Sequence, residues 1–262
     1  MRFTKMHGLG NDFLLVSGPV PENAAHLCAA LCDRRFGVGA DGVIFVSSSR
    51  TADCKMNIFN ADGSEAGMCG NGIRCVGKFV YEKGMLQKDR LTVETRSGVR
   101  TLSLRIEHGR VVGAAADMGR ARSGQAPVIL PGGMGTGTFV SVGNPHLVVF
   151  SDAVEDLPLS VWGPAIEHDP RFPGGINAEF VCVLSEAKLR MRVWERGCGV
   201  TPACGTGACA SVFAAVKQGI CPAERPVEVV LDGGSLFITV NADDSVTMEG
   251  PAATVFEGEV EI

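Results

Sequence analysis

Two short stretches of the chain place a cysteine among glycines at what reads as the start of a helix: "MCGNGIRC" (68–75) and "ACGTGACA" (203–210). At the head of a helix the first N–H groups have no partner within the helix, and the positive end of its dipole favours an anion. A thiol at Cys69 or Cys204 is therefore expected to ionise more readily than the ordinary value of about 8.5. The glycines let the backbone approach a ligand closely, and the unpaired N–H groups can hold a carboxylate. A lone cysteine is most often a buried thiol of no chemical consequence. A matched pair supports a specific reaction. One thiolate removes a proton from a carbon, the other thiol returns a proton to the opposite face, and the stereocentre inverts. Such inversion at an amino acid α-carbon would rest the α-carboxylate, with its growing enolate-like charge, on the helix N–H groups.

The elements that must position these thiols recur through the chain. Cys69 and Cys204 lie 135 residues apart, and Gly70 and Gly205, Gly72 and Gly207, and Gly84 and Gly219 keep the same offset. Each pair of motifs opens an apolar helix pattern, "IRCVGKFVYEKG" or "ACASVFAAVKQG", and the last glycine of each is the expected C-terminal stop. "IFNAD" and "VWERG" set Asn60 against Glu195, and "LGNDF" and "VGNPH" set Asn11 against Asn144. Two alternating meanders, "RLTVETRSGVRTLSLRIEHGRVVGAAADM" and "RPVEVVLDGGSLFITVNADDSVTMEG", read as strands with turns at Ser97-Gly98, His108-Gly109, Asp232–Gly234 and Asp243-Asp244. The expected fold is α/β of the mixed α+β kind: two pseudo-symmetric domains, each a mixed sheet around a central helix. "PENAAHLCAALCDRRFG" adds an amphipathic helix to the first. Residues 1–117 form the first expected domain and 118–262 the second, with the last strand free to return to the first. The polar stretch "DMGRARSGQ" (117–125) reads as the linker, and "PGGMGTGT" (131–138) and "PGGI" (173–176) as turns. Facing each other, the two domains would place one cysteine on each side of a shared cleft.

Composition excludes several alternatives. The 45% apolar and 20% charged content is that of a globular chain, and no apolar run reaches the length of a membrane span. The N-terminus lacks a signal-peptide core, and ten cysteines without a sign of export point to a reducing cytoplasm. A net charge of −5 without a basic cluster argues against a nucleic-acid partner. No G-x-G-x-x-G follows a strand and no P-loop is present. Cys69 with Cys75 and Cys204 with Cys209 have poor zinc spacings, so no metal site is expected. Cys28 and Cys32, four apart on a helix, suit packing.

"KMHGLGNDF", "FNADGSEAGMCGNGIRC", "GNPH" and "ERG…ACGTGACA" resemble the diaminopimelate epimerase family over nearly the whole chain. The resemblance implies cofactor-free, PLP-independent conversion of LL-diaminopimelate to the meso form, a small-molecule substrate, and a site between two similar domains. Cys69 and Cys204 match the acid/base pair, and Gly70, Asn71, Gly205 and Thr206 the cradle for the reacting carboxylate. Asn11, Asn60, Asn144, Asn177, Glu195 and Arg196 match substrate-binding groups, several at the distal end. His146 and Glu195 match residues that assist the reaction. A homodimer is an expectation of the same resemblance, while the sequence itself leaves the oligomeric state open. The chain departs from the family at Gly42, where many members carry Gln, at Val200, where Glu is common, and at Cys198. Racemases of the same fold acting on histidine or proline share the two cysteines. A second charged end on the substrate is what Arg196, with Asn60, Asn144 and Asn177, favours.

Overall fold

The computed structural model describes residues 1–130 and 132–261. Two compact units divide the chain: Met1–Ala116 together with the residues from Glu249 onward, and Asp117–Met248. The stretch 117–125 is not a loose connector, since strand Arg110–Arg120 runs into it and Arg122–Ser123 is also extended. Of the expected turn 131–138, Pro131 lies outside the described residues. Gly132, Gly133 and Gly135 take positive φ there, and strand Thr136–Ser141 begins before the stretch ends.

In the first unit, strands Arg2–Gly8, Asn11–Ser17, Gly42–Ser47, Cys54–Asn60, Arg90–Thr95 and Gly98–Glu107 lie side by side in that order. Their pairings run antiparallel, parallel, antiparallel, parallel, antiparallel. In the second unit Thr136–Ser141, Pro145–Phe150, Asn177–Ser185, Lys188–Glu195, Val227–Leu231 and Gly234–Val240 repeat the order and the same alternation. Each parallel step needs a crossover, and each crossover holds a helix. These are α1 (Ala24–Cys32), α2 (Gly70–Glu82), α3 (Leu159–Glu167) and α4 (Gly205–Lys217). The second unit thus has its own counterpart of α1. Gly163 and Pro164 inside α3 disguise it in the sequence. Gly163 is required there, because a Cβ would stand 2.3 Å from the Trp194 ring.

α2 and α4 are the axes of their units. α2 packs against four strands of the first unit and α4 against six of the second. Every residue from Gly70 to Val80 is buried, as are all from Gly205 to Ala215 except Thr206. A helix enclosed on all sides should be apolar on all sides. α4 is, with Ala208, Cys209, Ala210, Val212, Phe213 and Ala214. α2 instead carries a polar stripe, and its groups are bonded. Arg74 donates to Gly70 O (3.0 Å), Asn71 Oδ1 (2.9 Å) and Pro251 O (3.2 Å). Lys78 donates to Glu82 Oε1 (2.6 Å) and Val111 O (2.7 Å). Both helices stop in the same way. Gly84 and Gly219 take φ of 70° and 72° and donate to Tyr81 O and Val216 O. Met85 and Ile220, the residues after them, reach back to Val80 O and Ala215 O. This paired closure is the Schellman arrangement that glycine permits.

The chain's last strand, Ala253–Glu259, pairs antiparallel with Arg2–Gly8, setting Arg2 opposite Glu259. No helix among the described residues is long and apolar enough to cross a membrane.

Candidate active site

Cys69 is the residue immediately before α2, with extended backbone (φ −134°, ψ 124°). Its Sγ accepts the Gly72 N–H at 3.5 Å and its thiol donates to Asn11 Oδ1 at 3.6 Å. Asn71 Nδ2 donates to the same Asn11 oxygen at 3.3 Å, and Asn71 is itself fixed by Arg74. On its other side Asn11 Nδ2 donates to Asp41 Oδ2 at 2.8 Å. Behind this lies a charged cluster that holds Asn11 in place. Arg34 bridges Asp41 and Asp12 at 2.8 Å each, and Lys5 meets Asp12 at 3.0 Å. Burial alone would raise the Asp12 carboxyl, but Arg34 and Lys5 hold it below the usual carboxylate range. Asn60 takes no part in this network. It is exposed at the end of its strand and donates to Ser64 Oγ at 3.0 Å.

The second unit builds a different surround for Cys204, which precedes α4 with similar extended backbone (φ −118°, ψ 111°). Its Sγ lies 3.6 Å from Thr206 Oγ1. Asn144 Nδ2 donates to that hydroxyl at 3.4 Å. Asn144 Oδ1 in turn lies 3.1 Å from His146 Nε2, and His146 Nδ1 lies 2.7 Å from Glu179 Oε1. Asn177 sits between this chain and Arg196. Its Nδ2 is 3.5 Å from His146 Nδ1, and its Oδ1 accepts the Arg196 backbone N–H at 2.8 Å. The Arg196 side chain is exposed, its guanidinium resting on Gly174 O at 2.9 Å. Glu195 accepts a hydrogen bond from the Thr201 hydroxyl.

The two thiols differ in environment. Cys69 is half-buried, while Cys204 is only 4% exposed. Burial first, then the charges of Glu195 and Glu179, push the Cys204 thiol well above its ordinary value, against the Thr206 hydroxyl and the Gly207 N–H. The expectation of an easily ionised thiol is thus corrected for Cys204. A helix terminus contributes about 0.3–1 kcal/mol, up to about 2 in favourable sites. Full burial penalises the charged form by more than that. Burial thus favours the protonated thiol at Cys204.

Glu179 is the site residue that sequence reasoning missed. It is fully buried, and among the described residues its Oε2 has no hydrogen-bond partner. Burial pushes its carboxyl up, while His146 draws it back. The available signal was one acidic residue inside the apolar run "NAEFVCVL". Asp41 and Arg34 were also missed, being separated from Asn11 in sequence. Gly42 has a structural reason: a Cβ there would stand 2.5 Å from Phe59 O, so no side chain fits this backbone. Cys198 is exposed in the turn after Glu195, and Val200 is exposed in the short strand Gly199–Val200 that pairs back to Trp194.

Comparison with known proteins bears on both halves. The family model for diaminopimelate epimerase matches residues 3–123 and 138–255. A diaminopimelate epimerase of Desulfovibrio desulfuricans is 47% identical over 282 residues, spanning 99% of this chain and 98% of that relative. One of Methanococcus maripaludis is 44% identical over 279 residues, covering 100% of each. Among solved structures, a probable proline racemase from Agrobacterium radiobacter has a TM-score of 0.73 at 17% identity, covering 100% of this chain and 93% of that one. A phenazine biosynthesis protein of the PhzF family from Bacillus anthracis has a TM-score of 0.75 at 18% identity, with coverage of 100% and 99%. At such identities these last two establish a shared fold alone. With the family model matched across both cysteine motifs and near-half identity held end to end, this chain belongs to the diaminopimelate epimerase family.

Proposed function

We propose that this chain interconverts LL- and meso-2,6-diaminopimelate by a cofactor-independent two-cysteine acid/base reaction, a step in making lysine and peptidoglycan precursors. The observation that carries the reading is the repeated cap: a cysteine heading a buried, glycine-rich helix at the same place in two equivalent sheets. Inversion at one carbon needs a base on one face and an acid on the other, and Cys69 and Cys204 are assigned these roles. Cys204, with its proton held by burial, suits the acid in one direction, and the roles exchange in the other. The reacting carboxylate is assigned to the N–H groups at the two helix starts, Gly70 and Asn71 in one unit and Gly205 and Thr206 in the other. Donors fixed before the reaction stabilise charge as it develops and need no reorganisation.

Asn11 and Asn144, each tied to the cap of its own helix, are assigned to substrate positioning. Asn60, Asn177, Glu195 and Arg196 are assigned to the distal amino-acid end, where Arg196 offers a guanidinium to a second carboxylate. His146 and Glu195 assist through their hydrogen bonds near Cys204. A cytoplasmic homodimer belongs to the same proposal, with sedimentation as its test. The decisive experiment is α-proton exchange in heavy water with LL- and meso-diaminopimelate, beside histidine, proline and glutamate. Exchange confined to diaminopimelate is expected. Faster exchange on histidine or proline would overturn the assignment of substrate.

A further inference from the structure

His146 meets an acceptor at each ring nitrogen, the Glu179 carboxyl at Nδ1 (2.7 Å) and the Asn144 carbonyl oxygen at Nε2 (3.1 Å), while the Asn177 amide approaches Nδ1 from farther off (3.5 Å). A neutral imidazole carries one proton and cannot donate at both. The arrangement is satisfied when Nε2 holds one proton and a second is shared along the axis between Nδ1 and Glu179. Whichever partner holds that second proton, the pair stays neutral, as its complete burial requires. From Nε2 outward every bond then has one direction. Nε2–H donates to Asn144 Oδ1, which turns Asn144 Nδ2 toward Thr206 Oγ1. Thr206 accepts that bond, so its single hydroxyl proton is left for the Cys204 sulfur 3.6 Å away.

We propose that Glu179 is a positioning residue for Cys204: by sharing a proton with His146 it sets a hydrogen-bond chain through Asn144 and Thr206 that donates to the sulfur. When Cys204 becomes a thiolate, the shared proton moves from the Glu179 carboxyl to Nδ1. The carboxylic acid becomes a carboxylate, the imidazole an imidazolium, and positive charge shifts toward the sulfur with no proton entering or leaving the pair. Gly207 makes room for this pair, because a Cβ there would lie 2.7 Å from Glu179 Oε1.

The inference rests on Cys204 as a proton carrier, so its test is independent of turnover. The measured quantity is the rate of iodoacetamide labelling at Cys204, followed by the mass of its peptide across pH. The charged or titratable groups facing the sulfur are Glu195 from strand Lys188–Glu195, Glu179 from strand Asn177–Ser185 and His146 from strand Pro145–Phe150. Glu179→Gln keeps the size but cannot pass a proton to the ring. It should slow labelling near neutral pH about tenfold, the effect of a one-unit rise in the thiol's pKa, because the imidazolium it forfeits stands nearer the sulfur along the bonded chain than the carboxylate it removes. Faster labelling, the result of removing a repelling carboxylate alone, would overturn the proposal. It should lower kcat while leaving KM nearly unchanged, and Glu179→Asp should restore part of both. Unchanged labelling of Glu179→Gln would overturn the proposal, even if that variant turned over slowly. Should Glu179→Gln fail to fold, nitrogen-15 spectra of wild-type His146 decide. A proton on Nε2 at neutral pH is expected, and its absence would overturn the chain. Failure of the parent reading is distinguishable, since it would appear as epimerisation surviving in Cys204→Ala.

Discussion

Replacing Gly207 by alanine sets a methyl carbon 2.7 Å from Glu179 Oε1, 3.1 Å from its Cγ and 3.2 Å from its Cδ. The carboxyl has no room to yield. It is fully buried and held at 2.7 Å by His146. Forcing a methyl into a packed site costs about 1–3 kcal/mol. Displacing the carboxyl also forfeits a bond of the charged class, about 1.5–3 kcal/mol. Alanine returns about 1 kcal/mol of helix propensity. The net is a loss of about 3 kcal/mol, which at this chain size lowers the second unit's melting temperature by about 6–12 °C. Gly72 provides the control, occupying the matching position in α2. A Cβ there meets Ile44 Cδ1 at 2.9 Å and Met56 Cε at 3.1 Å, the far ends of two flexible side chains. Overpacking at its low end then nearly cancels the propensity gain, and Gly72→Ala should stay within about 1 kcal/mol of wild type. Differential scanning calorimetry of both variants reads the contrast. A Gly207→Ala protein melting at or above Gly72→Ala would refute the argument that the glycine is required by the buried carboxyl.

Cys69→Ala and Cys204→Ala should each abolish epimerisation while circular dichroism stays native, and near-normal turnover by either would sink the two-base mechanism. Arg196→Met should weaken diaminopimelate binding by about 1.5–3 kcal/mol while sparing a monocarboxylate analogue. Isothermal calorimetry showing equal losses would remove Arg196 from the distal end. Arg171 holds the Asp169 carboxyl at about 2, well below the ordinary carboxylate value. A depressed carboxylate stabilises fully above its unfolded pKa of about 3.9 and loses that contribution as pH falls. The gap in urea midpoint between wild type and Asp169→Asn should therefore hold above about pH 5 and close by about pH 1. A gap independent of pH would contradict the pairing.

Local signals in the sequence were strong where chemistry and backbone geometry coincide. The constant offset of Cys69, Gly72 and Gly84 from Cys204, Gly207 and Gly219 located both buried helices, because each position has its own backbone requirement. Asn11, Asn71, Asn144, His146 and Thr206 fall in the same motifs and do join the cysteine networks. What escaped was set by tertiary contact. Glu179 sits in a strand that pairs with Pro145–Phe150, and only that register brings it under His146. Asp41 and Arg34 reach Asn11 through the parallel pairing that sets Phe13 beside Gly42. The raised Cys204 thiol reflects burial and two carboxylates, which no local pattern at the helix start records. α3 was hidden because Gly163 answers to Trp194 rather than to the helix.

The return of strand Ala253–Glu259 to Arg2–Gly8 has a consequence for the order of assembly during synthesis. Residues 117–248 form an uninterrupted unit, able to close as soon as that stretch is available, in keeping with the tendency of domains to fold as units. The first unit begins earlier but waits for the tail. Its strand Ala253–Glu259 and the carbonyl of Pro251, which Arg74 needs inside α2, are synthesised only after residues 117–248. The unit that is begun first is therefore completed only after the second has been made. The Cys69 network, fixed through Asn71 by Arg74, thus depends on residues synthesised after every member of the Cys204 network.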